Sequence, residues 1–158
     1  MKSVRNVLLV VSLVGLALAG CSSDSKSSST TTTGVTTPTT GAGTTVNIVV
    51  SDTKGTDGPM TMTVSPASLP AGKITFVVKN TGTIEHEMVV VKTDTAFDKL
   101  AVDAEEKVSE DTSVGEVPEF AAGTTDSVTL DMEPGQYALV CNIAKHYGMG
   151  MRAAFTVT

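Results

Sequence analysis

The sequence has 158 residues, 41% of them hydrophobic, and a formal net charge of −6. This length suits one domain with flanking segments, and the acidic balance disfavours nucleic acid and anionic membrane surfaces as partners. The chain contains only two cysteines and two histidines, which limits the metal and catalytic sites that it can form.

The first 20 residues have the features of an export signal. Lys2 and Arg5 precede an apolar run that ends at Leu18, and this run is too short and wrongly flanked for a stable spanning helix. The Leu-Ala-Gly-Cys sequence at residues 18–21 resembles a bacterial lipobox, which implies cleavage before Cys21 and lipidation of its thiol. We therefore expect residues 1–20 to be a lipoprotein signal peptide and the domain to face the extracytoplasmic side of a bacterial cell membrane. The alternative is an ordinary cleavage site followed by an unmodified cysteine.

Residues 22–43 are nearly all Ser, Thr and Gly, with Pro38 and almost no apolar side chains. This composition cannot bury enough surface to offset the entropy of ordering the chain. We expect residues 21–43 to form a lipidated, disordered tether and residues 44–158 to form the folded domain. O-glycosylation of the tether is left open by the sequence.

From Thr44 the sequence alternates between apolar and polar residues, which is typical of half-buried strands. The side chains predicted to face inward on successive strands are Val46, Ile48 and Val50; Met60, Met62 and Val64; Ile74, Phe76 and Val78; and His86, Met88 and Val90. Turn-forming segments separate these strands, and no long helical period appears. The pattern predicts an all-β fold, an antiparallel sandwich or barrel.

Residues 92–120 interrupt this alternation. Thr95 to Leu100 is compatible with one short helical turn, capped by Asp94 or Thr95. Residues 103–119 are acidic and polar, and a loop of this length in a small domain is usually functional or mobile. We expect a solvated insert here in preference to a specific docking surface.

Alternation resumes at residue 124 and continues to the C-terminus. A predicted turn at residues 133–136 leads to a strand on which Tyr137, Leu139 and Cys141 share one face, so the thiol points toward the core. Residues 152–158 form the last predicted strand. Four methionines at strand spacing are expected to be core residues: Met60, Met62, Met88 and Met132.

Cys141 begins an eleven-residue segment that also contains His146, Met149 and Met151. With the other cysteine assigned to a lipid, Cys141 has no intramolecular partner in an exported protein, where thiols tend to be oxidised. An inert buried thiol, an intermolecular disulfide and a metal thiolate are the alternatives, and the nearby imidazole favours the metal. Thiolate and thioether are soft ligands, and a His₂Cys set with a weak axial Met marks an electron-transfer copper site. The second imidazole can come only from His86.

The pattern Cys141-x₄-His146-x₄-Met151, after a Pro-Gly-x-Tyr-x₃-Cys segment and with a distant strand-borne His86, resembles that of the cupredoxins, the blue copper proteins. The resemblance covers residues 44–158 and implies a Greek-key β-sandwich with one type 1 copper at one end. By it, His86, Cys141 and His146 would bind copper and Met151 would be the axial thioether. Met149 remains a possible alternative axial ligand.

Four further residues are expected beside the ligands or in a partner-binding patch: Glu87, Asn142, Tyr147 and Gly148. In the family, the residue after the first His commonly donates its N–H to the sulfur, and here that residue is Glu87, whose carboxylate would favour oxidised copper if it lay close. The resemblance also implies that His146 reaches the surface within an apolar patch. We expect Tyr147, Gly148 and Met149 along the exposed edge of the loop, with its glycines allowing partners to approach closely.

These features favour a membrane-tethered carrier of single electrons between redox proteins. Loss of Lys2 and Arg5 with the signal peptide would leave a charge of −8, so we expect partners with basic docking patches, and we expect the protein to be a monomer. The alternative is a copper-binding or delivery protein, which the pair of Met149 and Met151 weakly suggests; a metal-free interaction module is disfavoured by the complete ligand set.

An enzyme is not expected. Reductases and oxidases of the same superfamily need further copper centres, which two histidines cannot supply. Because both imidazoles are committed to metal, no base remains for a Ser/His/Asp hydrolase.

Overall fold

Nine β-strands make up the computed structural model over residues 44–158, the part of the chain that it describes. In chain order they are β1 (Thr44–Asp52), β2 (Met60–Ser65), β3 (Ser68–Leu69), β4 (Gly72–Asn80), β5 (His86–Lys92), β6 (Ser113–Phe120), β7 (Thr125–Met132), β8 (Gly135–Val140) and β9 (Arg152–Val157). The predicted signal peptide, lipidated cysteine and tether lie outside the described residues.

The strands form a sandwich of two sheets. The first sheet has the order β2-β1-β4-β7, and the second has the order β3-β9-β8-β5-β6. β1 pairs in parallel with β4, and β3 with β9, whereas the other neighbours are antiparallel. The all-β sandwich is confirmed, but purely antiparallel pairing is wrong. The chain passes through β2 at the sheet edge and β3 in the opposite sheet before it returns as β4, and such a crossover allows parallel neighbours.

The main core lies between the two sheets. Alternating side chains of β1 and β4 enter it at 0–1% exposure: Val46, Ile48, Val50, Ile74, Phe76 and Val78. Phe76 meets Phe155 of β9 edge to face, with ring centroids 5.3 Å apart, so aromatic packing joins the sheets. The four methionines predicted as core residues are all buried in this cluster.

A second, smaller cluster, here called the outer core, covers the other face of β5 and β8. Its members are Val89, Val91, Ala138 and Val140 from the strands, together with Phe97, Leu100, Val108 and Tyr147. The segment between β5 and β6, residues 93–112, covers this outer core through Phe97, Leu100 and Val108, whereas most of its other residues are exposed, as expected of a solvated insert. The unbroken apolar run from Met88 to Val91 is the sequence signal for the outer core, because a strand buried on both faces carries apolar residues at consecutive positions.

Residues 92–120 contain one turn where a short helical turn was expected, and one strand that was not expected. Where one short helical turn was predicted, the Lys99 N–H donates to the Ala96 carbonyl at 2.8 Å and forms a single turn. The polar stretch becomes β6 at Ser113 and pairs with β5, with Val117 and Phe120 buried. Over residues 44–158, no helix is long and apolar enough to cross a membrane.

Candidate metal centre

The ligand loop, residues 141–151, connects the neighbouring antiparallel strands β8 and β9. The Cys141 N–H donates to the Met151 carbonyl at 3.0 Å, so the two ends of the loop lie side by side. Within the loop, the His146 N–H donates to the Ile143 carbonyl at 3.0 Å, and the Met151 N–H donates to the His146 carbonyl at 3.1 Å. These bonds fix the side chains of Cys141, His146 and Met151 relative to one another.

Three predicted ligand atoms converge at this end of the sandwich. His86 is the first residue of β5, which is hydrogen-bonded to β8, so its side chain lies beside Cys141. His146 Nδ1 is 3.3 Å from both Cys141 Sγ and His86 Nδ1, and Sγ is 4.0 Å from His86 Nδ1. All three side chains are buried, at 0–2% exposure. The structure thus brings His86, Cys141 and His146 together as one possible metal site.

The protonation states of the two imidazoles suit metal binding. Burial lowers the pKa of His86, although its contact with Asp52 opposes this effect; burial and the neighbouring His86 lower the pKa of His146. Both rings are therefore neutral at pH 7. His86 Nε2 lies 3.1 Å from the ionised Asp52 carboxylate, which can only accept. The hydrogen bond thus assigns the proton to Nε2 and leaves the Nδ1 lone pair facing the site.

The Cys141 thiol lies in a dry surrounding that also contains hydrogen-bond donors. Burial raises the pKa of Cys141 to about 12, against the opposing effect of backbone N–H groups of Glu87 and Ile143. The Glu87 N–H lies 3.5 Å from Sγ, which is the contact that the family resemblance implied. Without a metal the thiol is protonated at neutral pH, and a metal must displace this proton to bind.

This donor set fits copper. One thiol and two neutral imidazoles converge within a buried space, and the described residues place no carboxylate among the converging donor atoms. Mg²⁺ and Ca²⁺ prefer oxygen ligands, whereas a His₂Cys arrangement is typical of electron-transfer copper sites.

Two methionines lie at the end of the ligand loop. Met151 is 0% exposed and lies in the main core, and its backbone is bonded to both Cys141 and His146. Met149 is partly buried against the same core and is thus less exposed than the surface location expected for it. Its carbonyl accepts the Met60 N–H at 3.0 Å.

Asn142 and Tyr147, expected near a partner-binding patch, are buried at 3% and 5% exposure. The Asn142 side chain accepts the Val108 N–H at 2.7 Å, and donates to the Val108 carbonyl at 2.9 Å and to the Glu110 carboxylate at 2.6 Å. The Tyr147 hydroxyl accepts the Leu100 N–H at 2.9 Å. The expectation of an exposed Tyr147 is therefore wrong, because both side chains fasten residues 93–112 to the ligand loop.

The remaining predicted site residues vary in exposure. His146 is only 2% exposed, so the expectation that its ring reaches the surface is not met, whereas Gly148 is exposed.

Burial raises the pKa of Glu87 to about 7, and the carboxylates of Glu119 and other nearby glutamates add to this effect. Glu87 is thus partly protonated at neutral pH and does not carry the full negative charge that the sequence suggested.

The residues behind His86 were missed in the sequence. Asp52 ends β1 at 4% exposure and contacts His86 Nε2. Asn80, in a segment assigned only as a turn, is 0% exposed and bonds through its side chain to the Gly82 N–H and the Ile84 carbonyl. One signal was present, because Asp52 continues the inward-facing alternation of β1 and an inward carboxylate requires a buried partner.

The fold and the site together define a class of protein, a β-sandwich whose metal centre consists of two imidazoles and a thiol around one loop. Residues 49–158 match the family model described as copper binding proteins, plastocyanin/azurin family. The match covers more than half of the chain, and the chain belongs to this family. Membership supports a blue copper electron-transfer protein with copper as its cofactor.

Solved structures share the fold. Dithionite-reduced auracyanin from the photosynthetic bacterium Roseiflexus castenholzii is 23% identical, with a TM-score of 0.50 over 75% of this chain and 99% of auracyanin. Rusticyanin from Thiobacillus ferrooxidans is 19% identical, with a TM-score of 0.51 over 74% of this chain and 79% of rusticyanin. At these identities the likeness concerns the fold alone. Among curated protein sequences, none matches this chain significantly.

Proposed function

We propose that the protein is a membrane-anchored blue copper protein that carries single electrons between redox partners outside the cytoplasmic membrane. The observation that carries this proposal is the convergence of buried His86, Cys141 and His146 in a chain of the plastocyanin/azurin family. These three side chains would hold one copper ion, with Met151 as the axial ligand. When bound, copper supplies a one-electron couple between Cu(I) and Cu(II).

In this function, the protein holds the donor atoms of the copper ligands in fixed positions. The loop hydrogen bonds fix Cys141 and His146 against the ends of β8 and β9, and β5 holds His86 in the same sheet. A site whose ligands are already positioned needs little rearrangement when its charge changes. This property suits repeated electron transfer.

Burial of the ligands favours electron transfer over copper delivery. A delivery protein must pass its ligands to a partner one at a time, which requires at least one accessible donor, and the three donor side chains here are 0–2% exposed. Family membership also favours a carrier over an enzyme. Both histidines of the chain are used in one site, so none remains for a second copper centre.

The proposal is tested by adding Cu(II) to the full-length protein. We expect an intense charge-transfer absorption toward the red end of the visible spectrum and a narrow copper hyperfine splitting in the EPR spectrum. The Cys141→Ser variant should lose both signals while its circular dichroism remains that of a β-sandwich. A colourless wild-type protein that binds only Cu(I) would contradict the carrier and favour copper delivery.

The axial ligand is distinguished by two matched substitutions. Because Met151 is fully buried and bonded to the other loop ligands, Met151→Leu should change the visible and EPR spectra. Met149→Leu should leave them unchanged. The reverse result would assign the axial position to Met149.

Membrane attachment and partner choice are the finer parts of the proposal. The lipobox-like residues 18–21 support lipidation at Cys21, so the wild-type protein should partition into detergent and Cys21→Ala should not. The acidic charge supports basic partners, because complementary charge speeds encounter. Electron transfer to a cationic redox protein should therefore slow as salt rises, and a rate that is independent of salt would contradict this part.

A further inference from the structure

A buried carboxylate lies directly behind one of the proposed copper ligands. Asp52 Oδ2 is 3.1 Å from His86 Nε2, and both side chains are fully buried. The contact is to Nε2, so the carboxylate does not compete for the metal at Nδ1. Since β1 and β5 belong to different sheets, this contact also joins the two sheets at the site.

Four neighbours hold the carboxylate of Asp52 by hydrogen bonds. Oδ1 accepts the Gly55 N–H at 2.7 Å and the Thr83 hydroxyl at 2.6 Å, and Oδ2 accepts the Thr83 N–H at 2.6 Å and the His86 Nε2–H. A longer bond of 3.4 Å comes from the Ile84 N–H. Each of these contacts brings an N–H or O–H donor to one of the two carboxylate oxygens, which is the arrangement that suits a carboxylate anion, since an anion can only accept.

The turn before β5 is shaped to admit this contact. A Cβ atom at Gly82 would lie 2.0 Å from Asp52 Oδ2 and 3.0 Å from His86 Nε2. Asn80 fixes the turn, because its side chain accepts the Gly82 N–H at 2.9 Å and donates to the Ile84 carbonyl at 2.9 Å. The turn thus leaves just enough space for the pair of Asp52 and His86.

We infer that Asp52 is a positioning residue for the copper centre, and that its charge shifts the reduction potential toward oxidised copper. This inference rests on the proposed function and deepens it. Asp52 fixes the tautomer and the orientation of His86, so that Nδ1 is presented to the metal. It also strengthens the donation from Nδ1, because a carboxylate that accepts the other ring N–H makes a histidine ligand more basic.

The sign of the effect follows from charge. Cu(II) is the more positive state, and a buried anion behind its ligand stabilises it more than it stabilises Cu(I). The stronger donation from His86 acts in the same direction. Both effects lower the potential, so neutralising Asp52 should raise it.

The Asp52→Asn variant removes the charge and keeps the size of the side chain. We expect the blue absorption to remain and the equilibrium to shift toward Cu(I) by about tenfold, which is ~59 mV for a one-electron couple. Asp131→Asn is the matched control, since it removes one negative charge from an exposed ion pair with Lys73 on the first sheet. Its potential should change by much less than that of Asp52→Asn.

The Thr83→Val variant supplies a change of opposite sign. It keeps the carboxylate but removes the hydroxyl that donates to Asp52 Oδ1 at 2.6 Å. The less solvated carboxylate should then accept more strongly from His86, and the potential should fall below that of the wild type. A general loosening of the site would shift the reduction potentials of both variants in the same direction. Shifts of the same sign would therefore overturn the inference, and so would an unchanged potential in Asp52→Asn.

A measurement on the metal-free protein separates this inference from the proposed function. Long-range ¹H–¹⁵N NMR reports which nitrogen of His86 carries the proton, and we expect Nε2–H in the wild type. A proton on Nδ1 would overturn the positioning role even if the copper protein is blue. A colourless copper-loaded wild type with Nε2–H would instead contradict the proposed function and leave the positioning of His86 supported. If Asp52→Asn does not fold, the reduction potential of Thr83→Val and the tautomer of His86 in the wild type still test the inference.

Discussion

The two halves of the proposed copper centre are held in place by different means. On the His86 side, the support is electrostatic, because a buried carboxylate and its hydrogen-bond donors stand behind the ring. On the ligand-loop side, the support comes from backbone contacts and from the packing of residues 93–112. There the Cys141 N–H is bonded to the Met151 carbonyl, and Asn142 and Tyr147 bind the cover of the outer core.

The difference follows from where each ligand lies. His86 is paired with Phe120 of the neighbouring strand β6, so its backbone is held by the sheet. The rotation of its side chain is then controlled by one hydrogen bond to Nε2. The loop has no ladder, and it must be restrained at several points along its length. We therefore expect changes behind His86 to alter the electronic properties of the site, and changes around the loop to alter stability and copper retention.

The largest effect is expected for Gly82→Ala, on the His86 side. The new methyl group would overlap Asp52 Oδ2, which is held by several donors and cannot move freely. The free energy of unfolding of the metal-free protein should fall by about 3–4 kcal/mol, since overpacking is combined with disruption of a buried charged pair. The reduction potential should change as well. Gly58→Ala is the control, because its methyl group would meet side-chain atoms no closer than 3.3 Å; equal effects of the two variants would contradict a close-packed pair.

A smaller loss is expected for Gly150→Ala, on the loop side. Gly150 has φ +112°, and a Cβ atom there would lie 2.6 Å from the Met60 carbonyl oxygen, so this glycine permits a close internal contact with β2. Backbone strain and the clash should cost about 2–3 kcal/mol and speed the release of copper. Gly123→Ala is the control, because it introduces a side chain at φ +77° with open space around it. Its free energy of unfolding, measured by chemical denaturation, should fall by about 1 kcal/mol from backbone strain alone. Equal losses would mean that the contact with Met60 does not restrain the loop.

Asn142→Ala should have the next largest effect, because it removes the side-chain hydrogen bonds between the ligand loop and residues 93–112. The N–H and the carbonyl of Val108 would lose their partners inside the outer core, at a cost of about 2 kcal/mol. Ser109→Ala lies on the same segment but removes only an exposed bond to Asp111, so its cost should stay within about 0.5 kcal/mol. We expect the reduction potential to change less in Asn142→Ala than in Asp52→Asn, and the opposite order would break the division between the two halves.

Part of this structure could be predicted from the sequence. Alternation identified the inward residues of β1 and β4, because a period of two depends only on the two faces of a sheet. The candidate ligands were identified because the chain has so few imidazoles and thiols that His86, Cys141 and His146 left little choice. The blue copper resemblance added the ligand roles.

What the sequence did not predict depends on contacts between distant residues. Asp52 and His86 are separated by 34 positions, and so are Val108 and Asn142. Asp and Asn are common at strand ends and turns, where solvent satisfies them, so only the alternation of β1 marks Asp52 as buried, and no neighbouring residue marks Asn142. The parallel pairing of β1 with β4 was missed for the same reason, because it depends on how the chain crosses between the sheets.

The smallest effect is expected for Tyr147→Phe. The substitution keeps the ring in the outer core and removes only the hydroxyl, which accepts the Leu100 N–H at 2.9 Å and donates to the Phe97 carbonyl at 3.1 Å. The free energy of unfolding should fall by about 1 kcal/mol. Tyr137→Phe is the matched control, because it removes a hydroxyl that donates to the Glu133 carbonyl at 2.7 Å. Its free energy of unfolding should fall by a similar amount.

The two tyrosine variants should differ in where the loss appears. Hydrogen exchange reports local opening, so the Leu100 amide should lose protection in Tyr147→Phe beyond what the global change explains, and it should not do so in Tyr137→Phe. Copper release should also be faster only in Tyr147→Phe, because only Tyr147 lies in the ligand loop. If both variants released copper at the wild-type rate, the cover of the outer core would stabilise the fold without restraining the loop, and the support of the ligands would reduce to the backbone bonds between β8 and β9.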